Sequence, residues 1–366
     1  MKKRRLILTA GSSCLAAIVL SGKSSSGQTL KESIKSLLNA VPDEYGKNLK
    51  KAKYIGYHLT NQDPNSPIFK ALSELWKIVH KKTDGWLLMS PLAYDANLPA
   101  ADTEAVWATA DNRFDAISVA APILDNSMSQ VLLLQQFLFA FKNSQEAFDL
   151  LQNELYISKL DTLSNQYNFK YMRNGTFNAG MRQITSTEGH PLKNFNDLKG
   201  FILRIPPSTS LSEQLMVLDI KPQFAAVSNV YQLLKTKKVM GQENPNAFIE
   251  SYHFNQVCKY LNITNHLWSG FNTFIRFDAW NSWPKEIQAV VEDELLKAQA
   301  FQWKAQENMN SYITANAFKL FGMTVIETDL KGVGKKLVPI QQKLIEQIDP
   351  ELRSLAKNLT TKVFEL

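Results

Sequence analysis

The chain has 366 residues, of which 45% are hydrophobic and 20% charged, enough to bury two lobes of ordinary domain size and too apolar for wholesale disorder. Its formal charge of +7 comes mainly from the first segment: residues 1–27 hold five basic side chains and no acidic one, so the remainder carries +2. A near-neutral remainder gives no bulk electrostatic support to nucleic-acid binding.

The first residues read as an export signal. Lys2, Lys3, Arg4 and Arg5 form a basic start, 6–20 is a mostly apolar run, and 21–27 is small and polar. The apolar run is short for a membrane span, so a cleaved signal peptide and a periplasmic destination are expected, with an uncleaved anchor as the alternative. Cys14 lies inside this run and is read as part of the signal. Cys258 is then the only cysteine, which excludes an intrachain disulfide and suggests a buried, inert thiol. Residues 28–52 are Lys-rich and polar and suggest a linker or a peripheral helix.

Strand and helix then alternate. Residues 54–59 have strand character and end on the polar turn 60–64. Ile68, Leu72, Leu75, Trp76 and Val79 recur at helical spacing over 66–82. A strand at 86–89, a helix at 102–111 and a strand at 114–119 follow. Further on, 199–205 reads as a strand closed by Pro206 and Pro207, 210–218 and 228–237 as helices, and 238–242 as the start of a turn. Pro284 sits where proline is favoured, at the start of a long helix reaching about 310. From Pro339 on, the sequence suggests a helical tail. The alternation predicts an α/β fold with two lobes, each a largely parallel sheet flanked by helices, with long C-terminal helices. The expected division is 53–178 plus about 270–309 for lobe I, 179–269 plus about 310–338 for lobe II, and 339–366 for the tail. Ligands of such folds sit at the carboxyl ends of strands, and here the natural site is the cleft between lobes.

Sequence motifs for catalysis, cofactors and metals are missing: there is no H-E-x-x-H, G-x-S-x-G, P-loop or G-x-G-x-x-G, and the five histidines lack ligand spacing. The chain is therefore expected not to be an enzyme and to need neither cofactor nor metal. Carboxylate pairs such as Asp102 with Glu104 read as solvated helix-end charges. Two arginines stand out, because each lies in or at the end of a strand-like apolar run: Arg182 within 180–186 and Arg204 within 197–206. A charge there is expensive unless it is paired or faces a cleft, and a guanidinium suits a carboxylate through two parallel N–H···O bonds. Spacing alone leaves a structural ion pair and a ligand anchor equally open. His58, at the end of the first strand, and Asp95 or Asn97, after the second, are candidates for the cleft edge, with an ordinary loop role as the alternative for His58. Tyr231 and Trp268 are candidates for apolar walls, with core packing as the alternative.

Five strings, in order and at matching intervals, carry a family resemblance. Asp197-Leu198-Lys199-Gly200 with Leu203-Arg204-Ile205-Pro206 resembles the "DLKGlklRvP" segment of TRAP transporter solute-binding proteins. Val227-Ser228-Asn229-Val230-Tyr231 is similar to their "fsEvY", and Val239-Met240-Gly241-Gln242-Glu243-Asn244-Pro245 to their "vdGQENP". Lys259 to His266 resembles "kyls.tnH", and Trp280 to Gln288 resembles "w..LP.e.q". The match is good over about 175–305 and diffuse over 53–174. The resemblance implies a binding protein that closes like a hinge on a small organic acid and delivers it to a pair of membrane permease subunits. It implies Arg204 as principal carboxylate anchor, Arg182 as its assistant and Asn244 as a hydrogen-bonding partner of the ligand. The sequence departs from the pattern at Ala120 or Ala121, where some members carry an acid, at Val227 in place of an aromatic residue, and at Asn229 in place of glutamate. A ligand sensor on the same fold is the alternative reading, and either a monomer or a dimer is expected.

Overall fold

The computed structural model describes residues 52–98, 101–361 and 363, so the expected signal segment and nearly all of 28–52 lie outside the described residues. The first strand, β1 (Tyr54–Thr60), leads into α1 (Pro67–Lys82). Ser66 caps that helix, its hydroxyl accepting from the Phe69 amide, and Pro67 occupies the first turn, where its missing N–H has no helical partner to lose. The 3.6-residue spacing buries Ile68, Leu72, Leu75, Trp76 and Val79 on one face. Next come β2 (Leu87–Leu92), α2 (Ala101–Ala110) and β3 (Ala116–Ala120). Strand β1 pairs in parallel with both β2 and β3, the arrangement that helical crossovers impose.

Helices α3 (Asp125–Leu132), α4 (Ser144–Leu151) and α5 (Glu154–Asn165) precede β4 (Phe169–Tyr171) and β5 (Phe177–Ser186). Then follow β6 (Ile202–Ile205), α6 (Thr209–Met216), β7 (Lys221–Phe224), α7 (Val230–Lys235), β8 (Gly241–Pro245), α8 (Ala247–Ser251) and β9 (Tyr260–Arg276). The chain continues through α9 (Phe277–Ser282), α10 (Lys285–Phe321), β10 (Thr324–Glu327), α11 (Val333–Ile345) and α12 (Arg353–Thr361). Two sequence expectations need correction. The segment expected to turn at 238–242 enters β8 at Gly241. The terminal helix starts at Val333, with Pro339 inside it.

The strands form one ten-stranded sheet in the order β2-β1-β3-β9-β5-β8-β6-β7, with β4 and β10 also paired to β9. The outer pairs are parallel, as expected: β1 with β2 and β3, and β6 with β7 and β8. The centre is antiparallel, because β9 runs against β3, β4 and β5, and β5 against β8.

Strand β9 carries two groups of strands at its two ends. Its N-terminal end, Tyr260 to Ile263, pairs with β10, and its C-terminal end, Phe271 to Arg276, pairs with β3 and β4. Between the groups, the β5–β9 register shifts twice, from Asn178 to Gly180 and from Arg182 to Ile184. Gln183 holds the second irregularity: its Oε1 accepts from the amides of Thr264 (2.7 Å) and Asn265 (2.9 Å), and its Nε2 donates to Asn265 Oδ1 (2.6 Å). Bulges of this kind bend a strand and raise its twist.

Helix α10, 37 residues long, lays a polar row on β5. Gln299 Nε2 donates to Thr176 O, Gln302 exchanges two bonds with the Asn178 backbone, and Asn310 Nδ2 donates to Ala179 O. Positions 299, 302, 306 and 310 recur every three or four residues, which places them along one helix face. These amides bond backbone groups of residues 176–179, beside the first irregularity.

Candidate functional site

The carboxyl ends of the parallel strands converge on one small cavity. One group of strands contributes Asn61, directly after β1, Ala120 at the end of β3, and Pro122 and Ile123 just beyond; Asp102 enters from the first turn of α2. The other group contributes Arg204 and Pro206 at the end of β6, Asn244 in β8, Arg182 in β5, Val227 and Phe248. Phe271 of β9 lies at its base. The cavity measures about 20 Å³, room for little more than a water molecule, so the side chains stand close around it.

The two arginines are both buried and differ in how they are held. Arg182 is bound at all three of its nitrogens. Its Nε and Nη2 donate to the two carboxylate oxygens of Glu243, Nη2 also reaches the Glu243 carbonyl (2.8 Å) and Asn244 Oδ1 (3.0 Å), and Nη1 reaches Ser269 Oγ (3.2 Å). Glu243 is fully buried and touches His266 Nε2 at 3.3 Å. Burial alone would raise its carboxyl; Arg182 and His266 override burial and hold it down at about 2. Arg204 has no carboxylate partner among the described residues. Its Nε (3.0 Å) and Nη2 donate to the Ala225 carbonyl, which fixes the side chain without neutralising it. Burial draws its guanidinium down to about 10, so it is still a cation at neutral pH. Asn244 ties the strands together, its Nδ2 donating to Gln242 Oε1 (2.6 Å). A buried guanidinium with no carboxylate partner among the described residues is suited to a ligand carboxylate.

An acidic corner faces this cation. Asn61 Nδ2 donates to Asp102 Oδ1 (2.6 Å), Gln62 Nε2 donates to Asn61 Oδ1 (2.9 Å), and the Tyr252 hydroxyl donates to the Asn61 carbonyl (2.7 Å). Asp95 lies buried against Asp102 in a stretch where Tyr94, Asp95, Ala96 and Asn97 all have positive φ. Burial, with each acid beside the other, raises Asp95 well above the usual carboxylate range; burial also raises Asp102. Asp102 is therefore not the solvated helix-end charge expected from its spacing to Glu104: it is 5% exposed.

The sequence-derived site residues separate cleanly. Arg182, Arg204 and Asn244 meet at the cavity. His58 does not. It is a fully buried residue of β1, accepts at Nδ1 from Trp76 Nε1 (3.0 Å) and contacts Ser118 Oγ through Nε2 (2.8 Å), and burial pulls it down to about 3, which makes it a neutral core histidine. Tyr231 lies on α7 away from the cavity, its hydroxyl donating to Gln256 Oε1 (3.1 Å) and its ring beneath Lys235. Trp268 is core, bonded to Asn178 and stacked on Trp303. Burial pushes the Cys258 thiol up to about 12. Asn61, Asp102, Phe248 and Phe271 line the cavity without having been singled out. Asn61 was hidden in a polar turn and Asp102 in a charged helix start, and the faint signal for Asp102 is its apolar company of Ala101, Ala105 and Val106.

Comparison with known proteins agrees with this geometry. The model of the DctP family, described as bacterial extracellular solute-binding protein, family 7, matches residues 59–347. A C4-dicarboxylate-binding protein of Bacillus subtilis is 30% identical over 131 residues, 36% of this chain and 37% of that protein. The alignments to three curated relatives span 49%, 37% and 53% of those proteins, about half their length or less. Among solved structures, a TRAP periplasmic solute-binding protein from Sulfitobacter sp. NAS-14.1 with bound β-D-galacturonate superposes with a TM-score of 0.76 at 18% identity, covering 84% of this chain and 100% of that one. One from Shewanella oneidensis with bound succinate gives the same TM-score, identity and coverage. The fold is thus that of the TRAP periplasmic binding proteins, and by the family match this chain belongs to the family 7 bacterial extracellular solute-binding proteins.

Proposed function

We propose that the protein captures a small organic acid outside the cytoplasmic membrane and delivers it to the permease subunits of a TRAP-type transporter. The observation that carries this reading is Arg204: a buried guanidinium with no carboxylate partner among the described residues, at the carboxyl end of a parallel strand, beside Asn244. Arg182, already matched by Glu243, acts as the rigid wall that positions Asn244. The relatives' named ligands, dicarboxylates and sugar acids, share the carboxylate that this cation suits.

The lobe division expected from sequence, with 53–178 and about 270–309 on one side and 179–269 and about 310–338 on the other, is supported by the two groups of strands at the ends of β9. The cavity draws residues from both groups, so closing one on the other assembles the site, and the shifted β5–β9 pairing is the natural hinge. A ligand that contacts both sides drives closure by its differential affinity for the closed form.

Thermal unfolding in the presence of a panel of small carboxylic acids tests the proposal. A ligand of the native state raises the melting temperature, by an amount that grows with ligand concentration. A rise with one class of acid is the expected result, and no rise with any acid in a cooperatively folding protein contradicts the reading.

A further inference from the structure

The cavity holds its own acid opposite the anchoring arginine. Asp102 lines it together with Arg204 and Arg182, and is 5% exposed. Asp95, 2% exposed, lies against Asp102, and its Oδ2 is buried with no hydrogen-bond partner among the described residues. Two cations line the cavity and one is already cancelled, since Glu243 matches Arg182. A single ligand carboxylate satisfies Arg204. Among the described residues the cavity wall offers a second carboxylate no further cation, and on the Asn61 side it meets Asp102, which Asp95 backs. A third carboxyl beside two buried acids whose ionisation burial already opposes would have to give up its own charge to stay, and that cost rejects a competing ligand as firmly as a good contact retains the right one. A hydroxyl suits that corner: Asn61 donates to Asp102 Oδ1 and Asp95 shares a hydrogen bond with Asp102, and a carboxyl group, with about four lone-pair sites, can still accept from a ligand hydroxyl.

We infer that Asp102, backed by Asp95 and Asn61, is a specificity-determining residue that accepts a ligand hydroxyl and turns away a second carboxylate, so that the substrate class is the hydroxylated monocarboxylates. The inference rests on the carboxylate reading of Arg204. Burial raises both acids of the pair, so this corner disfavours their charged forms and suits a neutral hydroxyl.

Titration calorimetry on the wild-type protein with D-galacturonate, D-gluconate and D-glycerate against succinate and L-malate tests it. At least one hydroxylated monocarboxylate is expected to bind tenfold or more tighter than either dicarboxylate. In Asp102→Asn, which removes the charge at constant shape, that preference is expected to shrink tenfold or more, through weaker hydroxy-acid binding and stronger succinate binding. Asn61→Ala, which leaves Asp102 without its amide donor and so a stronger acceptor, is expected to widen the preference and serves if Asp102→Asn fails to fold; a preference that narrows in a folded Asn61→Ala contradicts the inference. A dicarboxylate that binds wild type as tightly as every monocarboxylate overturns the inference, as does an unchanged preference in a folded Asp102→Asn. If acids bind but dicarboxylates win, only the selectivity fails. If no acid binds the folded protein, the carboxylate reading fails and takes the selectivity with it.

Discussion

Arg182 and Glu243 are locked together across neighbouring strands: both carboxylate oxygens and the main-chain carbonyl of Glu243 accept from one guanidinium, with both side chains almost wholly buried. The pairing divides the labour of two arginines that look alike in sequence. Arg182 is built into the wall, and Arg204 remains the free charge.

Removing one member of such a pair leaves the other buried and unmatched, which costs about 3–5 kcal/mol. Glu243→Gln is therefore expected to lower unfolding stability by that order, read as a shift of the urea midpoint with an unchanged slope. A loss below about 1 kcal/mol, the range of exposed ion pairs, contradicts the assignment.

The same pair sets an acid limit. Glu243 is held at about 2 in the folded protein against an ordinary 4.5, so its contribution is complete above the ordinary value and is lost as pH falls through about 2. The stability gap between wild type and Glu243→Gln is expected to be constant near neutrality and to narrow below pH 4.5. Urea titrations at stepped pH measure it, and a gap that stays constant down to pH 2 contradicts the account.

His58 gives a second, separable window. Its folded value near 3 lies below the ordinary 6.5, so the neutral form is the native one, and the stability it brings is complete above 6.5 and declines as pH falls toward 3. Nitrogen chemical shifts of the imidazole at pH 5 are expected to show the neutral ring with Nδ1 unprotonated. His58→Gln is expected to cost about 1–3 kcal/mol, since it orphans Trp76 or Ser118, and to leave acid affinity within threefold. A much larger loss of affinity in a folded variant would return His58 to the binding site.

The packing of α10 on β5 has its own test at Gly180, where φ is +95° and an added Cβ would stand 2.1 Å from Asn310 Nδ2. Gly180→Ala is expected to destabilise by about 1–3 kcal/mol through backbone strain and displacement of the Asn310 side chain from Ala179 O. Adding Asn310→Ala removes the clash but not the strain, so the double variant should recover part of the loss. Full recovery, or no loss at all, contradicts the packing described here.

Much of the fold was legible. The β1-α1-β2 and α2-β3 alternation followed from helical spacing in α1 and short apolar strands, and the long helix from Pro284. The centre was harder to read. Strand β9 carries Asn262, Thr264, Asn265 and His266 in mid-strand, and its pairing depends on distant partners, which local propensity cannot express. Strand β8, mistaken for a turn because it begins with Gly241, buries Gln242, Glu243 and Asn244, which only tertiary partners make tolerable. At the site, Arg182, Arg204 and Asn244 were visible as charges and amides in apolar runs or as parts of the family strings. His58 and Tyr231 misled because a strand-end histidine and a helix tyrosine look the same whether they face a cleft or a neighbour. Asp102 was set aside because a helix-start acid usually faces solvent, and its apolar neighbours Ala101, Ala105 and Val106 are only a faint sign of burial.

The central claim is that Arg204 is the charge on which an acid docks. Titration calorimetry of wild type and Arg204→Ala with the acid that most raises the wild-type melting temperature tests it directly. Charge-assisted hydrogen bonds contribute about 1.5–3 kcal/mol, so the variant, still cooperatively folded, should lose at least roughly tenfold in affinity. Affinity within twofold of wild type would show that the ligand is held elsewhere and that Arg204 serves the fold alone.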